Sequence, residues 1–196
     1  MAVEITREII LKARTYMPIA AKERIAEELA DWTVSPVEVE QIEFLPIPPV
    51  YKENRALKNI FLMGLLCRYY LQLDFAHESI RLVENGKKVG EQPVDFYPTI
   101  EAYDELASSA IMNQLERLKK SEKDISNIIF DFLYDFKVLE NMVNGEIKDY
   151  VAKKNDLLSR ATSMFEMISG EENVNGLSDA LKSIQQELEK KKGEGE

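Results

Sequence analysis

The chain has 196 residues, of which 45% are hydrophobic and 9% aromatic. That apolar content is enough to bury a core, which excludes an intrinsically disordered protein. The formal net charge is −10, so regions where acids cluster repel nucleic-acid phosphates. The single cysteine, Cys67, excludes an internal disulfide, and its apolar neighbours predict a packed, inert thiol in a reducing compartment.

The sequence offers no targeting or membrane signal. Met1–Ile10 carries Glu4 and Glu8 and lacks the basic start and apolar run of a secretory signal. The most apolar stretch, Ile60–Cys67, ends at Arg68 and is far shorter than the roughly 20 residues of a membrane helix. We therefore expect no membrane contact and a cytoplasmic location, either in the protein's own cell or in an infected host cell.

The N-terminal part predicts two helices and then an extended region. Val3–Tyr16 has apolar residues at helical spacing, and Pro18–Trp32 is an amphipathic helix with proline in its first turn. Val37–Phe44 alternates apolar and acidic residues, which favours a strand over a short helix that begins at Pro36. Leu45–Tyr51 contains three prolines and is predicted to be extended.

A central helix and a hairpin follow. Asn54–Leu73 is apolar on most of its circumference, as expected for a helix at the centre of a bundle. Asn85-Gly86 lies between two short runs of strand-forming residues, which predicts a hairpin over Ile80–Val89.

The C-terminal region predicts long helices. Nine of ten positions that step alternately by four and three are apolar, a pattern typical of coiled coils and helical bundles. The unbroken phase favours a continuous helix through Ser121, although Ser121 and Asp124 have the spacing of a capping box. Gly145 is the favoured breakpoint. The ten positions are Ile111, Leu115, Leu118, Glu122, Ile125, Ile129, Phe132, Phe136, Leu139 and Val143.

The fold class expected is mainly α: a helical bundle with long C-terminal helices and a small β-hairpin. Residues 1–168 are predicted to form the helical domain, with the hairpin near 80–89. Residues 169–176 have the composition of a flexible linker, and residues 192–196 that of a solvated tail. Between them, residues 177–191 predict a detached amphipathic helix that folds back on the domain or binds a partner. Its apolar positions are Leu177, Leu181, Ile184 and Leu188.

Two windows of the sequence contain acidic residues and no basic residue. One lies between Arg24 and Lys52, and the other between Lys88 and Arg117. Such segregated charge attracts a basic partner, unless each window is an ordinary solvated surface. We hypothesise that Val37–Phe44 adds to the edge of the hairpin and joins the two windows into one negative surface. The first window holds Glu27, Glu28, Asp31, Glu38, Glu40 and Glu43, and the second Glu91, Asp95, Glu101, Asp104, Glu105 and Glu116.

No motif predicts catalysis, a metal or a cofactor. The only histidine, His77, has no cysteine or second histidine at metal-ligand spacing, and neither a Walker loop nor G-x-G-x-x-G is present. Asp131 and Asp135 could bind a divalent ion or act as acid and base, but such a pair is usually exposed. The same predicted helix carries aromatic residues that suggest an interface, although core packing explains most of them: Phe130, Phe132, Tyr134 and Phe136.

Ile25–Phe44 has the sequence pattern of a DNA-binding helix-turn-helix, in which one helix ends and a second begins after a turn. The charge of this segment argues against DNA binding. The second helix would carry Glu38, Glu40 and Glu43 toward phosphates. The window between Arg24 and Lys52 contains no basic residue that could bind those phosphates. Direct nucleic-acid binding is therefore not expected.

The function expected is that of a non-catalytic protein that binds another protein or associates with itself, as an adaptor or in assembly. The alternative is an acidic inhibitor from a bacteriophage or mobile element that occupies the nucleic-acid-binding surface of a partner enzyme. An enzyme with unfamiliar carboxylate chemistry is a third class without positive support. The residues assigned to partner binding are Glu38, Glu40, Glu43, Glu91, Asp95, Leu177, Leu181, Ile184 and Leu188.

Overall fold

The computed structural model describes residues 3–37, 50–84 and 87–169. Most of these residues are helical, and the strands form two-stranded sheets, which confirms a mainly α fold with a small β-hairpin. The chain divides into two compact units, Met1–Thr33 with Glu53–Lys148, and Val34–Lys52 with Asp149–Glu196. Among the described residues, no helix is long and apolar enough to cross a membrane.

The described elements are six α-helices, a π-helical turn and four strands. The helices are α1 (Arg7–Lys12), α2 (Ile19–Thr33), α3 (Arg55–Leu65), α4 (Ile100–Ser108), α5 (Ile111–Ser121) and α6 (Lys123–Ser169). The π-helical turn, Leu66–Tyr70, follows α3 directly, and the strands are β1 (Val34–Val37), β2 (Val50–Glu53), β3 (His77–Glu84) and β4 (Lys87–Pro98).

The N-terminal segment is less helical than predicted. A helix was expected over Val3–Tyr16, but only α1 forms, and the residues before it are not helical. Instead, the amide of Val3 donates to Ser109 Oγ at 2.6 Å, and that of Ile5 donates to Gln114 Oε1 at 2.7 Å. Both amides would lie in the first turn of the predicted helix, where backbone amides have no partner within the helix, so these tertiary hydrogen bonds satisfy them instead. The second predicted helix is confirmed as α2.

The central helix and the hairpin are both confirmed. The Asn54 side chain caps α3 by accepting the amide of Leu57 at 3.1 Å. Strands β3 and β4 pair antiparallel and extend the hairpin beyond the predicted limits, while Asn85-Gly86 itself lies outside the described residues. Helix α3 touches β4 closely at Gly64, where an added Cβ would lie 1.9 Å from the carbonyl oxygen of Phe96.

The strand predicted over Val37–Phe44 is described only at its first residue, which ends β1. Strand β1 pairs with β2 in a two-stranded sheet separate from the hairpin. The hypothesis that Val37–Phe44 extends the hairpin is therefore wrong for the described residue, and residues 38–49 lie outside the description.

The C-terminal helices break at a different place from the one favoured by the sequence. Helix α5 ends at Ser121, Glu122 is extended with φ −122°, and α6 begins at Lys123, so the prediction of a continuous helix is wrong. Arg7 of α1 forms ion pairs at this break, with its Nε 3.3 Å from Glu122 Oε2 and its Nη2 2.5 Å from Asp124 Oδ2.

Helix α6 then runs through Gly145 without interruption, so the favoured breakpoint is also wrong. Val143 and Ile147 on either side are buried, and their packing outweighs the roughly 1 kcal/mol that glycine costs inside a helix. The predicted apolar stripe nevertheless forms the core. Its fully buried members are Ile111, Leu115, Ile125, Ile129, Phe132, Leu139 and Val143, whereas Leu118 and Phe136 are half-buried.

The second unit contains β1, most of β2 and the last part of α6. Within it, Asn155 holds the backbone of Tyr51 by two hydrogen bonds, accepting its amide at 2.9 Å and donating to its carbonyl at 3.2 Å. The predicted linker begins at Ser169, which is the last residue of α6. The rest of that linker, the predicted helix over 177–191 and the tail lie outside the described residues.

Candidate functional site

A buried ionic cluster surrounds Asp135 of α6. Its Oδ1 lies 2.5 Å from the Nζ of Lys22, and its Oδ2 accepts the hydroxyl of Tyr70 at 2.8 Å and the amide of Met17 at 2.9 Å. Asp135 is 7% exposed and Lys22 is 2% exposed. The expectation of an exposed carboxylate pair is therefore wrong for Asp135, although Asp131, one turn earlier, is exposed.

Two features of the local sequence place these groups inside. Lys22 lies on the apolar side of α2, whose other buried residues include Ile25 and Leu29. Tyr70 ends the π-helical turn, in which the amide of Leu71 donates to Leu66 O at 3.1 Å, and the extra residue of a π turn shifts the phase of the side chains after it. The lysine among apolar positions was the signal for this cluster, and the sequence reasoning missed it.

The hydrogen bonds and the ion pair of this cluster hold packed elements of the fold together. Burial, followed by the hydrogen bond to Asp135, raises the pKa of Tyr70, so its hydroxyl remains protonated and donates to the carboxylate. The Tyr16 ring centroid lies 4.9 Å from Lys22 Nζ. With Lys22, Tyr70 and Asp135 all buried, a substrate has no access to them. The cluster connects α2, the π-helical turn and α6.

A pair of aromatic side chains on α6 forms an exposed apolar patch. Phe130 and Tyr134 are 54% and 66% exposed and stack with ring centroids 6.3 Å apart and planes 18° from parallel. Lys119 Nζ lies 5.5 Å from the centre of the Phe130 ring. Phe132, between the two, is fully buried. The aromatic residues of α6 are thus divided between core and surface, and we call Phe130 and Tyr134 the aromatic face.

The second acidic window is exposed where the structure describes it. Glu91 and Asp95 lie on β4, and both are exposed, whereas Val94 between them is buried. Helix α4 adds Glu101 and Asp104, also exposed. We call Glu91, Asp95, Glu101 and Asp104 the acidic segment. Of the other residues assigned to partner binding, Glu38, Glu40, Glu43, Leu177, Leu181, Ile184 and Leu188 lie outside the described residues.

The only histidine of the sequence lies beside the acidic segment. His77, the first residue of β3, has its Nε2 3.9 Å from Asp95 Oδ1. The side chains of His77 and Asp95 are 38% and 74% exposed, and the contact links the start of β3 to β4. Among the described residues, no group of three or more His, Cys, Asp or Glu side chains could hold a metal ion.

A cleft of about 970 Å³ lies between the N-terminal segment and α5. Its polar groups serve the fold: Ser109 Oγ donates to Glu105 O at 2.5 Å, and Gln114 Nε2 donates to Val3 O at 2.8 Å. A second cleft, of about 380 Å³, is lined by Trp32, Phe61 and Tyr97 among others. Neither cleft is lined by a nucleophile with an adjacent histidine base.

No protein-family model, curated protein or solved structure matches the chain.

Proposed function

We propose that this protein is a non-catalytic helical protein that binds another protein or a second copy of itself, as an adaptor or in assembly. The observation that carries the proposal is the aromatic face. Two large aromatic side chains that stack on each other and keep more than half of their surface in water form a contiguous apolar patch, and contiguous apolar patches are the surfaces that protein partners bind. Tyrosine and other aromatic side chains dominate the energetics of protein interfaces.

The buried cluster supports a non-catalytic function. The sequence suggested Asp131 and Asp135 as a pair that could bind a divalent ion or act as acid and base. The Asp135 carboxylate instead contacts Lys22, Tyr70 and the amide of Met17 inside the fold. We also propose a cytoplasmic location, either in the protein's own cell or in an infected host cell. The buried free thiol of Cys67 is consistent with a reducing compartment.

Capture from cells tests the proposal. The full-length tagged protein is expressed in the cells that produce it, and retained proteins, including untagged copies of the chain, are quantified. The double substitution Phe130→Ser with Tyr134→Ser should abolish retention of the main partner. The matched control is Leu11→Ser with Ile19→Ser, which changes two apolar residues that are also more than half exposed and should leave retention unchanged. Equal retention by both variants would refute the proposal.

The acidic segment favours a second function, that of an acidic inhibitor that covers the nucleic-acid-binding surface of a partner enzyme. Four exposed acids over a short stretch of chain would speed encounter with a basic surface. The substitutions Glu91→Lys with Asp95→Lys should then abolish capture of a nuclease or polymerase, and added salt should weaken the wild-type interaction steeply. The control Glu8→Lys with Glu23→Lys changes exposed acids of α1 and α2. Capture that survives the first pair with unchanged salt dependence would exclude this function.

A further inference from the structure

We infer that the aromatic face binds a second copy of this chain, with the two α6 helices antiparallel and the two-fold axis at Tyr134. The inference rests on the proposed function and names the partner of the same surface. It is drawn from the order of the exposed side chains on α6 on either side of Tyr134. In an antiparallel symmetric pair, a residue n positions before the axis faces the residue n positions after it on the other copy.

The charges on this side of α6 are self-complementary about Tyr134. Asp131 lies three residues before Tyr134 and Lys137 three residues after it, and both are exposed. The antiparallel arrangement therefore places Asp131 of each copy opposite Lys137 of the other. A parallel arrangement in register would instead oppose like charges.

The uncharged positions match in the same register. Phe130 faces Val138 of the other copy, which joins an exposed ring to a half-buried aliphatic side chain. Asn127 faces Asn141, and both are exposed; paired asparagines in a helical seam fix its register. Positions 127, 130, 134, 137 and 141 step by three and four, as do 127, 131, 134, 138 and 141, so both sets lie on one side of the helix.

The local charge around the aromatic face favours self-association there. Two copies that each carry −10 repel one another, and an interface must lie where the local charge is balanced. Around the aromatic face, Lys119 and Lys137 balance Asp131 and Glu140, with Lys137 Nζ 2.6 Å from Glu140.

Sedimentation equilibrium of the full-length protein at low salt tests the inference with a charge-swap cycle. The variants are Asp131→Lys, Lys137→Asp and the double swap, all at exposed positions, with circular dichroism as the control for folding. Wild type should dimerise in the micromolar range, as expected for a small interface. Each single reversal replaces two attractive contacts by two repulsive ones and should weaken association roughly tenfold or more. The double swap restores opposite charges and should return the affinity to within about threefold of wild type.

Two results would overturn the inference. One is a wild-type protein that stays monomeric at millimolar concentration; the other is a double swap that associates no better than the single reversals. If capture of a different protein still depends on Phe130 and Tyr134 under either result, the inference fails and the proposed function stands. If that capture also fails, both fall.

Discussion

Asp131 and Asp135 lie one helical turn apart on α6, yet only Asp135 reaches the core. Their spacing was visible in the sequence, but their separate environments were not, because these depend on which helix packs against each. Lys22, the buried partner of Asp135, lies on the apolar stripe of α2, and this position was visible in the sequence. A lysine at such a position needs a buried acid, and the sequence alone does not identify it among 35.

Replacing Asp135 by Asn should destabilise the protein by about 3 to 5 kcal/mol, because it leaves the Lys22 ammonium buried without a counter-charge. The control Asp131→Asn changes an exposed carboxylate of the same helix and should shift the free energy of unfolding by less than about 0.5 kcal/mol. Urea unfolding measures both values. Equal, small effects would show that Lys22 and Asp135 are not a buried pair.

The thiol of Cys67 should be unreactive in the folded protein. Burial raises its pKa to about 12, so at pH 8 the thiol is almost wholly protonated, and its reactive thiolate is scarce as well as inaccessible. We expect labelling by a disulfide reagent at pH 8 only as fast as the protein opens, with complete reaction in urea. Rapid labelling in the native state would contradict the packing of the π-helical turn.

At the scale of elements, periodicity predicted the buried side of α5 and α6 correctly and their boundary incorrectly. The seven-residue apolar repeat keeps the same phase on both sides of Glu122, so the repeat does not reveal the break between α5 and α6 there. At the break, Glu122 and Asp124 form ion pairs with Arg7, a residue distant in sequence. Gly145 was misjudged for a related reason, since a local propensity of about 1 kcal/mol yields to the packing of buried neighbours.

The two helical glycines should respond oppositely to alanine. At Gly145 an added Cβ meets nothing within 4 Å, so Gly145→Ala should stabilise the protein by about 0.5 to 1 kcal/mol through helix propensity. At Gly64 the same methyl would lie 1.9 Å from Phe96 O, so Gly64→Ala should destabilise the protein by separating α3 from β4. Thermal and urea unfolding test the pair. A stabilising Gly64→Ala would show that α3 does not approach β4 closely.

Phe132 and Phe130 provide a matched test of which side of α6 is core. Phe132→Ala removes a fully buried ring and should cost about 3 kcal/mol or more. Phe130→Ala, two residues away, removes a ring that is 54% exposed and should have a much smaller effect on the free energy of unfolding. Comparable losses from the two substitutions would mean that Phe130 is also part of the core.

At the scale of the whole molecule, the fold class was predictable from the sequence. The candidate interface was predictable only as far as the helix that carries it. Composition and periodicity indicated a helical protein, and the charge of Ile25–Phe44 argued against DNA reading. The aromatic residues of α6 were noted from the sequence, but the division between buried Phe132 and exposed Phe130 and Tyr134 requires the packing of the other helices against α6. Partner binding through the acidic residues remains a prediction.

The most direct test of the central claim is site-specific photo-crosslinking in the cells that produce the protein. A benzophenone amino acid replaces Tyr134 in one variant and Ile19 in another, because both side chains are more than half exposed. If the aromatic face binds a protein, irradiation should give a discrete crosslinked species from position 134 and none of comparable yield from position 19. Absence of a crosslink at 134, or equal yields at both positions, would contradict the account.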